Sequence, residues 1–203
     1  MDIKLSIIIP TFNQEELILR CLESIPIRED IEVIVVDDGS IDNTYNNLVE
    51  FSKTYANKLT IIENGENKGV GFSRNTGLEK AIGEYIGMID SDDYVYTDLY
   101  NEVINKLDGE IDIVYMDLVK NDNTHFRLNE ESKMRLCGCP CKFIKRSLIG
   151  DIRFPLKRSG EDYYFNNDIQ KIPHTELFTG IDAYHYNFPR KDSLTYKVRK
   201  GLA

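Results

Sequence analysis

The sequence predicts an α/β domain with a mainly parallel central sheet flanked by helices. Through the first half of the chain, short β-branched apolar runs alternate with longer amphipathic stretches, the pattern of repeated strand–helix units. No Pro/Gly/Ser-rich linker, low-complexity tract or internal repeat interrupts them. The 203 residues, 41% of them hydrophobic, suffice for one core and fall short of two ordinary domains. The chain reads as a single domain over 1–203 with a soft functional division near Lys120, into 1–120 and 121–203.

Leu5 to Ile9 reads as a buried strand. Asn13, with Glu16 three residues on, forms a capping box for a helix whose apolar face is Leu17, Ile18, Cys21, Leu22 and Ile25. Ile31 to Val36 is the next strand, Asp37-Asp38-Gly39-Ser40 its turn, and Leu48, Val49 and Phe51 mark the second helix. Leu59 to Ile62 is a third strand. The glycine-bearing loop Gly65 to Gly71 then leads into a helix with Leu78, Ala81 and Ile82 on its apolar side. Tyr85 to Ile89 supplies a fourth strand, followed at once by Asp90-Ser91-Asp92-Asp93. A helix capped by Thr97 comes next, carrying Leu99, Tyr100, Val103, Ile104 and Leu107. From Ile111 the regularity weakens: Ile111 to Leu118 reads as a strand, Asn121-Asp122-Asn123 as a turn, and Phe126 to Leu128 as a returning edge strand. Ligands bind beyond the carboxyl ends of the strands in open α/β sheets, so Pro10-Thr11, Asp37-Asp38 and Asp90 to Asp93 are expected to converge on one crevice.

Composition narrows the function. A formal net charge of -9 argues against nucleic acid as a partner, because that binding neutralises many phosphates with Lys and Arg. No apolar run approaches the roughly 20 residues that span a bilayer, and Met1-Asp2 enters a strand pattern without a charged n-region, so the expected location is the cytosol. Four cysteines, three of them as Cys137-x-Cys139-x-Cys141, do not form a secreted disulfide framework, and reduced thiols are expected.

Six constellations can carry chemistry. Asp90, Asp92 and Asp93 gather negative charge at a strand end, suited to a hard divalent ion that shares oxygen ligands with substrate phosphates; a solvated turn and helix N-terminus is the alternative. A carboxylate in Asp37-Asp38 can accept a hydrogen bond from a nucleobase N–H or ribose hydroxyl, or serve only as turn chemistry. Lys68 and Arg74 flank a glycine loop at a helix start where an anion can sit, or decorate a surface loop. Glu161-Asp162 lies at another helix start, where one carboxylate can deprotonate an acceptor hydroxyl or simply cap the helix. Cys137, Cys139 and Cys141 with His125 suit zinc less well than burial as small hydrophobes, since structural zinc sites favour wider cysteine spacing. His185, within Tyr184-His185-Tyr186, is either packed or a late metal ligand.

Taken in order, Ser6-Ile7-Ile8-Ile9-Pro10-Thr11-Phe12-Asn13, Val35-Val36-Asp37-Asp38-Gly39-Ser40 and Asp90-Ser91-Asp92-Asp93 closely resemble the family 2 glycosyltransferases. Gly69 to Gly77 and Gly83-Glu84-Tyr85-Ile86 look like the stretch leading to that family's acidic motif. The resemblance continues more weakly in Cys141 to Ile149, similar to an acceptor-side segment, and in Gly160-Glu161-Asp162, similar to the base-bearing acidic pair. It implies a GT-A fold, the nucleotide-diphospho-sugar transferase type, and inverting chemistry. It also implies that residues 1–120 bind the nucleotide-sugar and 121–203 face the acceptor. By resemblance Asp38 binds the base beside Pro10, Thr11 and Asn13, while Asp92 and Asp93 serve ribose and metal with Asp90 adjacent. Arg190 and Ser193, after Tyr184-His185-Tyr186, are similar to a late segment that folds over the diphosphate. The cysteines at 137–141 replace the aromatic and polar residues common in relatives, so acceptor preference does not carry over.

The reading is an inverting glycosyltransferase with a UDP-sugar donor and Mn²⁺ or Mg²⁺. The acceptor is a glycan, lipid-linked or other hydroxyl, in cell-surface polysaccharide or glycoconjugate synthesis. Arg74 and Arg190 are assigned to the donor's sugar or phosphates, Asp92, Asp93 and His185 to the metal, and Asp162 to the acceptor proton. A sugar nucleotidyltransferase would use similar chemistry, but Pro10 to Glu15 has no glycine-rich, basic loop; a non-catalytic nucleotide-sugar-binding domain is the third reading. Lys191, Lys197, Arg199 and Lys200 make a basic tail suited to peripheral contact with anionic lipid at the inner face of the plasma membrane.

Overall fold

The computed structural model describes residues 2–133, 138–157 and 160–188. Arg190, Ser193, Cys137 and the basic tail therefore lie outside the described residues. Strands β1 (Leu5–Thr11), β2 (Ile31–Asp37), β3 (Lys58–Glu63) and β4 (Tyr85–Met88) form the parallel part of one sheet. Beyond β4 the sheet takes in β5 (Tyr94–Val95), β6 (Ile113–Lys120), β7 (His125–Phe126), β8 (Lys142–Lys145) and β9 (Glu176–Tyr186). The order is β3-β2-β1-β4-β8-β6-β9-β5, with β7 paired to β6. β8 runs antiparallel to both neighbours, and β6 and β9 are parallel.

Every residue of β1 and β2 is buried, so neither face of these strands meets water, which is why those segments are almost continuously β-branched. The helices are α1 (Ile18–Ser24), α2 (Thr44–Ser52), α3 (Val70–Lys80), α4 (Thr97–Ile104), α5 (Arg146–Ile149) and α6 (Glu161–Gln170). Pro10 is tolerated in a central strand because the β1–β4 ladder ends at Ile8↔Met88, leaving Pro10 paired only with β2. At Gly77 a Cβ would stand 2.4 Å from Ile8 Cγ2, so α3 lies directly on β1 and brings its Arg74 to the carboxyl end of the sheet.

Two capping expectations are corrected. α1 begins at Ile18 rather than at the Asn13–Glu16 box; Asn13 instead adopts φ 51° and accepts the Ile41 N–H at 2.9 Å, tying two loops together. Thr97 is the first residue of α4, not its cap, and its hydroxyl donates to the Ser24 carbonyl at 2.8 Å. In both cases a tertiary partner outcompetes the local one. Among the described residues no helix is long and apolar enough to cross a membrane.

Candidate active site

The β1 and β2 ends meet at Thr11↔Asp37 in register. Asp37 Oδ1 accepts Ser40 N at 3.2 Å and Ser40 Oγ at 2.5 Å, closing the turn. Asp37 Oδ2 and Thr11 Oγ1 are buried and have no hydrogen-bond partner among the described residues. Burial pushes the Asp37 carboxyl above the ordinary carboxylate range. Unmet polar atoms in this position favour a ligand bearing donors, and sequence reasoning had credited Asp38 rather than Asp37.

Asp38 has a different main task. Its Oδ1 accepts Asn64 Nδ2 at 2.9 Å and Lys68 N at 3.1 Å, and its Oδ2 accepts Gly69 N at 2.7 Å. The carboxylate thus fastens the 64–69 loop over the strand ends, leaving acceptor capacity on Oδ2 for a base.

The acidic strand end is divided by burial. Asp93 is 1% exposed, with Oδ2 accepting the Tyr184 hydroxyl at 2.5 Å and Oδ1 accepting Asn187 N at 2.8 Å. Burial first, then the Asp92 and Asp90 charges, hold its carboxyl well above the ordinary range. Each Asp93 oxygen thus accepts one hydrogen bond from the chain, and the group fastens β9 to the acidic turn. Asp90 keeps a side chain 34% exposed, and Asp92 is partly exposed with its carbonyl held by Arg20 Nη2 at 2.7 Å and Asn187 Nδ2 at 3.1 Å. Two oxygen-donor carboxylates fit a hard divalent ion whose remaining ligands are diphosphate oxygens and water. Among the described residues no three His, Cys, Asp or Glu side chains gather as an all-protein metal centre.

His185 is packed among aromatic and amide partners. Its ring stacks on Tyr94 with centroids 4.2 Å apart, Nδ1 meets Tyr96 Oη at 2.9 Å, and Nε2 meets Asn121 Oδ1 at 2.9 Å. Both nitrogens are engaged, and burial lowers its pKa. Arg20 sits 4.8 Å over the other partner of that stack, Tyr94.

Arg74 lies buried between two carboxylates, with its Nε left without a partner among the described residues. Its side chain is 5% exposed; Nη1 donates to Glu161 Oε1 at 2.6 Å and Nη2 to Asp90 Oδ1 at 2.9 Å. One planar guanidinium thus joins α3, the acidic strand end and the start of α6. Glu161 is consumed by this pairing, while Asp162 stands half-buried beside it. Burial first, then the Glu161 charge, raises the Asp162 carboxyl above its ordinary value, with Arg74 opposing. Cys139 and Cys141 are buried free thiols, both pushed up to about 12 chiefly by burial. They behave as small hydrophobes, and His125 pairs with Asp182 at 2.9 Å instead of joining them.

A parallel sheet with acidic residues at its strand ends and an antiparallel extension beyond β4 defines the GT-A class of α/β domain. The chain matches the family model described as glycosyl transferase family 2 over residues 6–168. It is 41% identical over 204 residues to the poly(ribitol-phosphate) beta-glucosyltransferase of Bacillus spizizenii, covering 90% of this chain and 32% of that protein. Its structure is similar to S. aureus TarS 1-349 in complex with UDP-GlcNAc, with TM-score 0.78, 25% identity, and coverage of 92% of this chain and 59% of the other. It shares the fold of the Pyrobaculum calidifontis mannosyltransferase PcManGT solved with GDP-Man and Mn²⁺, with TM-score 0.78, 22% identity, and coverage of 97% and 60%. The chain belongs to glycosyl transferase family 2. It spans about a third of the length of the curated relatives it matches.

Proposed function

We propose that this chain transfers a sugar, with inversion, from a UDP-sugar to an acceptor hydroxyl. The observation that carries the reading is the division of the Glu161-Asp162 pair. Glu161 is bound to Arg74, whereas Asp162 is half-buried outside that pairing, and burial raises its carboxyl above the ordinary value, the direction that strengthens a general base. A single base that activates the acceptor hydroxyl for direct displacement at the anomeric carbon gives inversion. Thr11, Asp37 and Asp38 receive the nucleoside. Asp90 and Asp92 hold Mn²⁺ or Mg²⁺, which supplies charge neutralisation for the diphosphate leaving group. The UDP-GlcNAc-bound structural neighbour supports UDP as the nucleotide, and the relative named for poly(ribitol-phosphate) supports a phosphate-bearing polyol acceptor.

Incubation with UDP-glucose or UDP-GlcNAc, with Mn²⁺ or with EDTA, tests this. Metal-dependent release of UDP is expected. Pyrophosphate release would identify a nucleotidyltransferase, and binding without release would identify a non-catalytic nucleotide-sugar module.

A further inference from the structure

Buried charge in this fold is met by nearby charge or several hydrogen bonds, with Lys142 standing apart. Glu32 accepts from Ser6, Lys58 and Ile82 N, Asp117 from Arg127 and Leu128 N, and Arg74 lies between two carboxylates. Lys142 is 4% exposed. Its Nζ donates to the Gly138 carbonyl at 3.2 Å and lies 5.7 Å from the Tyr115 ring centroid. Among the described residues no carboxylate stands within ion-pair distance of it. An ammonium has three donors and is strongly hydrated, so it is rarely buried without a counter-charge.

Its place in the sheet says which ligand can supply that charge. β8 runs antiparallel to β4 with Gly87↔Phe143 paired, so Lys142 lies at the end of β4 that leads into Asp90, and on its other side it pairs with Tyr115 of β6. The buried Cys139 thiol feels the charges of Arg74, Lys142, Asp162 and Asp90 together. Lys142 thus lies near the acidic strand end, on the flank beyond β4 and away from the β1–β3 ends to which the nucleoside is assigned. We propose that Lys142 is the anchoring cation for a phosphate group carried by the acceptor. This rests on the sugar-transfer reading and adds the residue that selects an anionic acceptor. A compact ammonium binds phosphate as a point charge, and burial strengthens the contact.

The test uses calorimetric titration of the chain preloaded with UDP and Mn²⁺. Probes are a ribitol-phosphate oligomer, ribitol as the phosphate-free control, and a short-chain polyprenyl diphosphate sugar. Lys142→Met is expected to bind the phosphate-bearing probe at least tenfold more weakly than wild type, with UDP affinity unchanged and the melting temperature equal or higher, since a buried charge has been removed. Whichever phosphate probe shows this dependence identifies the source, polymer or lipid. Lys142→Gln serves if the Met variant does not fold, with the same expected loss. Equal probe affinity in variant and wild type overturns the proposal, as does a parallel loss of UDP affinity, which would assign Lys142 to the donor. If wild type does not bind UDP at all, the transfer reading itself fails and Lys142 falls with it.

Discussion

Arg74 and Glu161, 87 residues apart in sequence, meet at 2.6 Å with side chains 5% and 9% exposed. The same guanidinium holds Asp90 at 2.9 Å, so a single side chain sets the distance between the acidic strand end and the helix that carries Asp162. Replacing Arg74 by Met leaves two carboxylates without their cation. Removing one partner of a buried pair costs about 3–5 kcal/mol, and urea unfolding is expected to show a loss of that size. Arg74→Lys keeps charge without the fork and should lose less stability while still slowing transfer. A Met variant as stable as wild type would show that the clamp contributes nothing to the fold.

Asp162→Asn keeps size and loses basicity. Transfer at saturating donor is expected to fall by about a hundred- to ten-thousand-fold, with UDP-sugar affinity nearly unchanged. Glu161→Gln retains an oxygen for Arg74 and should lose less. Collapse in the Gln variant with near-normal turnover in Asp162→Asn would reverse the two roles.

The pH profile follows from the same pair. The Asp162 carboxyl is raised by burial and then by Glu161, so turnover should rise with pH through a value above the ordinary carboxylate range, as the base becomes ionised. Stability runs the other way for this group. The folded state holds the proton more tightly than the unfolded chain, so its contribution is favourable at low pH and declines as pH climbs from the unfolded pKa to the raised one. In Glu161→Gln the acidic limb of kcat should move to lower pH; a limb that does not move would remove Glu161 as a cause.

Asp93 is expected to act on the fold. Asp93→Ala leaves the Tyr184 hydroxyl and Asn187 N–H without their buried acceptor, costing about 1–3 kcal/mol per group. Asp93→Asn should preserve most stability and Mn²⁺-dependent UDP binding. Loss of metal dependence in the Asn variant with an unchanged melting temperature would assign Asp93 to the metal.

Gly39→Ala tests the loop that Asp38 fastens. Gly39 has φ +76°, and a Cβ there would stand 2.7 Å from the Glu66 Cα. The left-handed conformation alone costs an L-residue about 1–2 kcal/mol, and the backbone clash adds to it. Lower stability and weaker UDP binding are expected together; an unchanged melting temperature would show that the loop can retreat freely.

The sequence by itself determined β1 to β4, β6 and the gathering of acids at their carboxyl ends, but not β5, β8 or the 11-residue β9, which form only by pairing with distant segments. The former depend on local periodicity, and strand-end acids such as Asp37-Asp38 and Asp90 to Asp93 fall together in any parallel sheet. The start of α6 at Glu161-Asp162 was legible for the same reason. Individual roles were not. Asp93 receives Tyr184 from 91 residues away and Asn187 from 94, Arg74 receives Glu161, and His185 is held by Tyr96 and Asn121. Lys142 is singled out only by which charges do not reach it. A carboxylate in an acidic run has the same local sequence signature whether it faces ligand or core, because burial and partner choice arise from segments that meet only when the sheet closes. Tertiary structure therefore decided which acid is buried against Tyr184, which cation lies between two carboxylates, and which member of the Glu161-Asp162 pair stays outside that pairing.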